Sequence, residues 1–188
     1  CTSFFPSKPL GCYGDGGAVF SDDPALAQRM KRIRNHGQAQ KHHHPVLGIN
    51  GRLDTLQASI LLAKLEVFED EIQQRQAVAE QYATQLADAE LTLPQVAPGN
   101  TSIWAQYTVL SSDRDALRER LQAEGIPSVS YYAVPLHLQP VFADLGHQAG
   151  DFPVAEQVAG ECLSLPMSPQ LRNSDIKEVA DALANQNS

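Results

Sequence analysis

Cysteine is scarce in this 188-residue chain. Cys1, Cys12 and Cys162 are odd in number and irregularly spaced, which argues against a disulfide framework or a zinc knuckle. No apolar run approaches the ~20 residues needed to cross a bilayer, and the front carries no signal-peptide pattern. A reducing, cytoplasmic setting is therefore expected. Internal repeats and low-complexity segments are also absent. Acidic residues are missing from Pro24 to Leu53, a window that holds Arg29, Lys31, Arg32, Arg34, Lys41 and Arg52 together with His36, His42, His43 and His44. The net charge of −8 argues against a general nucleic-acid binder. A locally positive stretch in an acidic chain can still attract a small anion, although a solvated basic helix face fits the same charges. The hydrophobic fraction of 43% and charged fraction of 19% are those of a globular chain able to bury a core. The sequence begins at Cys1, directly inside what reads as a working loop, so further N-terminal residues are expected to precede it.

The periodicity gives an alternating α/β reading. Ala18–Phe20 reads as a short strand. The stretch 22–37 reads as a helix with Asp23 at the N-cap, Pro24 at the first helical position and Gly37 as the stop. Residues 38–50 read as loop. Leu53, Leu56, Ile60, Ala63 and Val67 share one helical face, and the pattern predicts a single long helix from about Leu53 to Ala87. The turn-rich run 93–100 is the expected domain boundary. Beyond it, 102–110 reads as a strand, 113–126 as a helix and 127–134 as a second strand, a small α/β module. Segments 152–166 and 174–186 read as helices, the latter capped by Asn173 or Ser174.

Among the motifs, "TSFFPSKPLGCYGDGGAVF" places Lys8 between Pro6 and Pro9, ahead of Gly14-Asp15-Gly16-Gly17. A lysine amine attacks a carbonyl only when neutral, and burial or a neighbouring cation can lower its pKa. An exposed loop lysine fits this tetrapeptide as well. Ser3 could hydrogen-bond a phosphate, and a glycine turn can aim N–H groups at an anion. The pattern matches neither a P-loop nor a dinucleotide fingerprint. Lys41-His42-His43-His44-Pro45 raises the question of metal, but adjacent side chains diverge and no ligand-spaced motif supports them. In "GINGRLDTLQ", Asn50 between Gly48 and Gly51, followed by Arg52, could grip a phosphate or carboxylate. A loop-to-helix junction with Asp54 complementing the helix dipole is the alternative.

In order, "SFFPSKPLGCYGDGGAVF", "RIRNHG", "LGINGRLDTLQASILLAKL", "YYAVPLHLQPVF" and "LSLPMSP" resemble the C-terminal half of the DegT/DnrJ/EryC1/StrS aminotransferases, which are pyridoxal-phosphate enzymes acting on keto-sugars attached to nucleotides. The resemblance covers nearly the whole chain. It implies the C-terminal part of a fold-type I aminotransferase: residues 1–92 as the end of the large cofactor domain with a linking helix, and 93–188 as the small α/β domain. It also implies that Lys8 is the residue that bonds the cofactor aldehyde, that Ser3 holds the cofactor phosphate, and that Asn50 reaches that phosphate from a neighbouring subunit. Arg52 would contact substrate from the same neighbour, giving a homodimer with shared sites. Tyr131, Tyr132 and His137 fall at substrate-side positions. There the chain departs from the family's frequent His-Tyr-Pro, reading Tyr131-Tyr132-Ala133, and a packing role for His137 stands beside substrate contact.

The implied reaction is a ping-pong transamination with glutamate as amino donor and a nucleotide-linked keto-sugar as acceptor. The best match is to enzymes acting on UDP-linked 3-keto-N-acetylhexosamine uronic acids, which serve amino-sugar and polysaccharide biosynthesis. The carboxylate that pairs with the cofactor's ring nitrogen and the aromatic that stacks on it are expected before Lys8, so these 188 residues alone are expected to be inactive. A sugar dehydratase of the same fold is disfavoured, because dehydrating relatives carry histidine at the lysine position. A non-catalytic, ligand-binding or regulatory relative is the remaining alternative.

Overall fold

Asp23 starts the first helix as expected. In the computed structural model, which describes residues 1–184, its carboxylate accepts hydrogen bonds from Ala25 N (2.8 Å) and Leu26 N (3.2 Å), satisfying N–H groups that no helical carbonyl can reach. Helix α1 runs Pro24–Arg34. It follows β1 (Thr2–Ser3) and β2 (Gly17–Ala18), an antiparallel pair in the register Thr2↔Ala18 and Ser3↔Gly17. The expected strand at 18–20 therefore lies one residue earlier and is shorter.

The single long helix expected over 53–87 is instead two helices, α2 (Thr55–Leu65) and α3 (Phe68–Gln85). At the junction Val67 N donates to Lys64 O over three residues (3.2 Å), the tighter pitch that commonly interrupts an α-helical ladder. The apolar periodicity runs on across 66–67, so it could not reveal the break. Contacts divide the chain into two compact units, Cys1–Glu69 and the residues from Asp70 onward. That division falls upstream of the boundary read at 92/93, since Val78, Ala79, Tyr82 and Leu86 pack into the second unit's core.

In the second unit, β3 (Tyr107–Leu110) precedes α4 (Arg114–Ala123), and α5 (Pro153–Glu161) leads directly into β4 (Cys162–Leu165) before α6 (Asn173–Ala184). Two short 3₁₀ helices, Leu136–Leu138 and Pro140–Leu145, fill the connection before α5. The strand expected at 127–134 does not form: only Val129 bridges to Ser164. The partner of β3 is β4, antiparallel from Tyr107↔Leu165 to Leu110↔Cys162, in a stretch read as the end of a helix. Likewise only the last four residues of the strand expected at 102–110 are extended.

Alternation along β3 and β4 gives this small sheet two different faces. Tyr107, Val109, Leu163 and Leu165 point into a core built with Tyr82, Leu117, Leu121, Ile176 and Leu183. The Tyr82 and Tyr107 rings stack at 4.9 Å, and Tyr82 Oη donates to Pro166 O (2.9 Å). Burial pushes both phenols up, Tyr107 to about 12, so neither is a candidate acid or base near neutral pH. Thr108 and Ser164 share a hydroxyl–hydroxyl bond of 2.8 Å on the other face.

Neither Asn173 nor Ser174 caps α6. Arg172 takes that place: its carbonyl accepts from Asp175 N and Ile176 N, and Asp175 Oδ2 reaches back to Arg172 N (3.1 Å). This is the return half of a capping box. Hydrogen bonds from the Arg172 side chain and backbone hold the Asp175 carboxyl down at about 2. A lowered folded-state value stabilises the fold above the ordinary aspartate range and loses that contribution as pH falls through about 2. Asp175→Asn is accordingly expected to lower the melting temperature near neutrality, with the difference from wild type closing as the pH of the thermal scans approaches 2. The end of the segment read as helix, residues 185 and 186, lies outside the described residues. Among the described residues no helix is long and apolar enough to cross a membrane.

Candidate active site

Lys8 sits on a loop tied shut at its base. The loop leaves β1 and returns in β2, and between them Phe4 N donates to Gly16 O and Cys12 N to Phe4 O, both at 2.8 Å. Cys12 is fully buried and its Sγ–H points at Phe4 O (2.9 Å), so this thiol serves the loop's packing. Lys8 N donates to Phe5 O (2.8 Å), closing a turn with Pro6 at the position whose fixed φ favours turning. At Gly11 a Cβ would lie 2.7 Å from both Phe5 O and Pro6 O, and at Gly17 it would lie 2.9 Å from Thr2 O. The tight return therefore requires residues without side chains.

Helix α2 braces the same loop. Lys64 Nζ donates to Gly11 O (2.5 Å) and lies over the Tyr13 ring, while Tyr13 N donates to Gln57 Oε1 (2.8 Å). The result is a rigid base with an exposed tip. Lys8 Nζ has no hydrogen-bond or ion-pair partner among the described residues. Ser3 Oγ accepts from Phe5 N (3.2 Å), which leaves its own proton free to donate.

Asn50 and Arg52 lie on a second strip, laid against the end of α1. His36 N donates to Ile49 O (2.9 Å) and Gly51 N to Arg34 O (2.8 Å), and Asn35 and Asn50 face each other as a bridge. Arg52 Nη1 donates to Asn35 Oδ1 (2.9 Å) and to His36 Nε2 (3.0 Å). The second bond requires His36 neutral with its proton on Nδ1. The guanidinium is thus aimed by the residues just past α1. The backbones meet so closely that a Cβ on Gly48 would overlap Gly37 N and come within 2.6 Å of Ile33 O; Gly37 itself has φ +70°.

Gly48→Ala is therefore expected to cost roughly 1–3 kcal/mol, the usual range for overpacking. It should also speed tryptic cleavage after Arg52. Gly160→Ala is the control, because a Cβ there meets nothing within 4 Å. No hydrogen bond joins the Ser3–Lys8 loop to the Asn50–Arg52 strip among the described residues.

Tyr131, Tyr132 and His137 belong to the second unit. Tyr131 and Tyr132 line a groove of about 760 Å³ whose floor is the outward face of the small sheet, with Gln106, Thr108, Cys162 and Ser164. Tyr132 has φ +56°, a left-handed conformation that costs a bulky residue about 1–3 kcal/mol and persists only when the surroundings enforce it. His137 is not in the groove. Its side chain is 8% exposed, and Nε2 lies 3.0 Å from Glu156 Oε1. The run His42–His44 stays exposed in its loop, with His44 Nδ1–H on His36 O (2.9 Å).

Asn35, His36, Gln57, Lys64 and Glu156, each of which holds a candidate residue or its loop, had no such role in the sequence reading, where His36 counted only toward the basic window. "RNHG" at the end of α1 was a usable signal for the first two. For the others only the folded chain supplies one.

The family model described as the DegT/DnrJ/EryC1/StrS aminotransferase family matches residues 1–184. The chain is 47% identical over 185 residues to UDP-2-acetamido-2-deoxy-3-oxo-D-glucuronate aminotransferase of Pseudomonas aeruginosa, covering 98% of this chain and 51% of that one. Among solved structures, a DegT DnrJ EryC1 StrS aminotransferase from Brucella abortus is 44% identical with a TM-score of 0.91, covering 97% of this chain and 49% of that one. DesV of S. venezuelae, solved in complex with a ketimine intermediate, is 40% identical with a TM-score of 0.94, covering 99% and 51%. The chain spans about half the length of the curated relatives it matches.

Proposed function

Because the chain belongs to the DegT/DnrJ/EryC1/StrS aminotransferase family, we propose that it is the C-terminal half of an enzyme that moves an amino group from glutamate to a keto group on a nucleotide-linked sugar, using pyridoxal phosphate. The carrying observation is the closed loop that presents Lys8, its amine free of any partner among the described residues, within a chain that matches this family over residues 1–184. The residues present fit the cofactor. An unpaired amine at Lys8 and a hydroxyl proton left free at Ser3 are the groups that an aldehyde and a phosphate would need. When bound, pyridoxal phosphate supplies the electron sink for the reaction.

The chain's own residues do the rest. Lys8 Nζ would be the point of covalent attachment and, once released, the base that moves a proton. The bracing by Lys64 and Gln57 limits the freedom of the loop that carries it, so less entropy is lost in reaching a reactive geometry. Ser3 Oγ–H would donate to the phosphate. Asn50 would reach that phosphate in a second copy of the chain, and Arg52, oriented by Asn35 and His36, would offer its planar donors to an anionic sugar substrate. Each copy of a homodimer would then complete the other's site. Tyr131 and Tyr132 would contact the sugar in the groove of the second unit.

The relative named as a UDP-2-acetamido-2-deoxy-3-oxo-D-glucuronate aminotransferase favours a UDP-linked 3-keto-N-acetylhexosamine uronic acid as acceptor, and a nucleotide-sugar substrate favours the cytoplasm. The domain reading, residues 1–92 ending the cofactor domain and 93–188 forming the small one, is part of this proposal. The test is borohydride trapping of the complete protein with pyridoxal phosphate, followed by peptide mapping, and then spectroscopy of the two half-reactions with glutamate and with the keto-sugar. A pyridoxyl adduct on Lys8 and reversal of the glutamate-induced spectral change by the keto-sugar are expected. Absence of a selective adduct would remove the proposal.

A further inference from the structure

Glu156 makes more directed contacts than any candidate residue in the groove, and every one of them reaches back along the chain. Its carboxylate accepts from Gly150 N at 2.9 Å through both oxygens, from Phe152 N at 3.3 Å and from His137 Nε2 at 3.0 Å. The Phe152 ring closes over His137 at 4.7 Å between centroids and meets the His147 ring at 5.0 Å. His147 Nδ1 in turn lies 3.5 Å from Asp151 Oδ2. These groups hold the excursion between Tyr132 and α5 to the first turn of that helix. The pair sits directly behind the groove: Leu136 and Ala155 line the groove on one side and a second, apolar cavity on the other. The segment carrying Tyr131, Tyr132 and Gln139 is thus a thin wall, and Tyr132 within it has a backbone conformation that needs enforcement.

We propose that His137 and Glu156 are a positioning pair that fixes the segment Tyr131–Gln139 as the wall of the sugar-binding groove, so that His137 acts on the substrate through Tyr131 and Tyr132. This rests on the transaminase reading for the identity of the substrate, and on the geometry alone for the positioning. The N–H of a buried imidazole donates to a carboxylate already held by two backbone N–H groups. Removing Glu156 leaves the His137 N–H and the Gly150 and Phe152 backbone N–H groups without this acceptor, and removing His137 takes away the side chain that ties this segment to α5; either change frees the wall. Small displacements of substrate-facing groups are enough to weaken a site substantially.

The test uses the complete enzyme loaded with pyridoxal phosphate, with a UDP-linked 3-keto-N-acetylhexosamine uronic acid as probe. His137→Ala and Glu156→Ala are each expected to raise KM for the keto-sugar by about tenfold or more, with a smaller change in kcat. The double variant is expected to be no worse than the weaker single one, the signature of residues acting as one unit. His137→Gln, which keeps a donor, should recover part of the loss. Amide hydrogen exchange over residues 131–139 should rise in both alanine variants.

Direct substrate contact by His137 would give a different pattern, with Glu156→Ala near wild type in KM and in exchange, and that result overturns the proposal. Additive losses in the double variant do so too. The two readings fail separately: a wild-type protein without lysine trapping sinks the transaminase assignment, while exchange at 131–139 still decides whether the pair positions the wall.

Discussion

Replacing Lys8 with alanine in the complete enzyme is expected to eliminate the borohydride-trapped pyridoxyl adduct on this half of the chain. Transamination should fall by at least the ~10²–10⁴-fold that a positioned proton-transfer group supplies. The loop should survive the change. Its closure depends on Lys8 N donating to Phe5 O, on Cys12 N and Phe4 N, and on the Lys64 bond to Gly11 O; none of these uses the Lys8 side chain. The variant should therefore melt with the wild type, and its loss should be chemical. Full turnover in Lys8→Ala would show that the amine is incidental. A large drop in melting temperature would instead show that the side chain supports the loop, against the exposure seen here.

The second large effect is expected at Leu163, fully buried in β4. This strand lies between β3 and the single bridge from Val129, so a cavity at Leu163 opens at the centre of the second unit's core. Leu163→Ala should cost about 2–5 kcal/mol, depending on how far the neighbours relax. Trp104 offers a local reporter. Its ring lies 5.5 Å from Tyr107 and its indole N–H donates to Gln76 Oε1 (2.9 Å). A urea titration followed by tryptophan fluorescence should show the midpoint shifted down at constant slope. An unchanged midpoint would mean that the sheet is not what holds this unit together. The groove should suffer as well, because Ser164 on the opposite face of the same strand is bonded to Thr108.

What could be read from the residues depended on whether the signal was local. Asp23 with Pro24 marked the start of α1 because capping is settled within four residues. Gly125, at φ +75° just beyond α4, marked a stop for the same reason. Strand β4 was missed because Cys162–Leu165 follows α5 without a turn residue, and its extended form is set by pairing with β3, more than fifty residues earlier. The reverse error at 127–134 has a related cause. β-Branched and aromatic residues there suggested a strand, but Tyr132 takes a left-handed conformation and only Val129 finds a ladder partner. Mid-helix spacing hid the break at Glu66–Val67, since a tightened turn keeps the apolar face nearly in register.

At the site, the sequence itself offered Lys8, Ser3, Asn50 and Arg52 only as groups able to meet an anion or a carbonyl; their assigned roles came from resemblance to a family. Glu156 could not be found in this way. Two of its partners are backbone N–H groups and the third, His137, is nineteen positions away, so no motif spans them.

The unequal distribution of buried side chains bears on how such a chain comes into being. Among the described residues the first unit fully encloses little apolar material beyond Cys12 and Leu61, and it leaves Leu47, Leu56 and Leu62 largely bare; the second holds a sixteen-residue cluster. Synthesis delivers the first unit earlier, but the later one has the means to settle by itself. The sixteen-residue cluster closes on its own side chains, so a truncating mutation inside it is expected to deplete the protein in the cell without touching a single group in the chemistry.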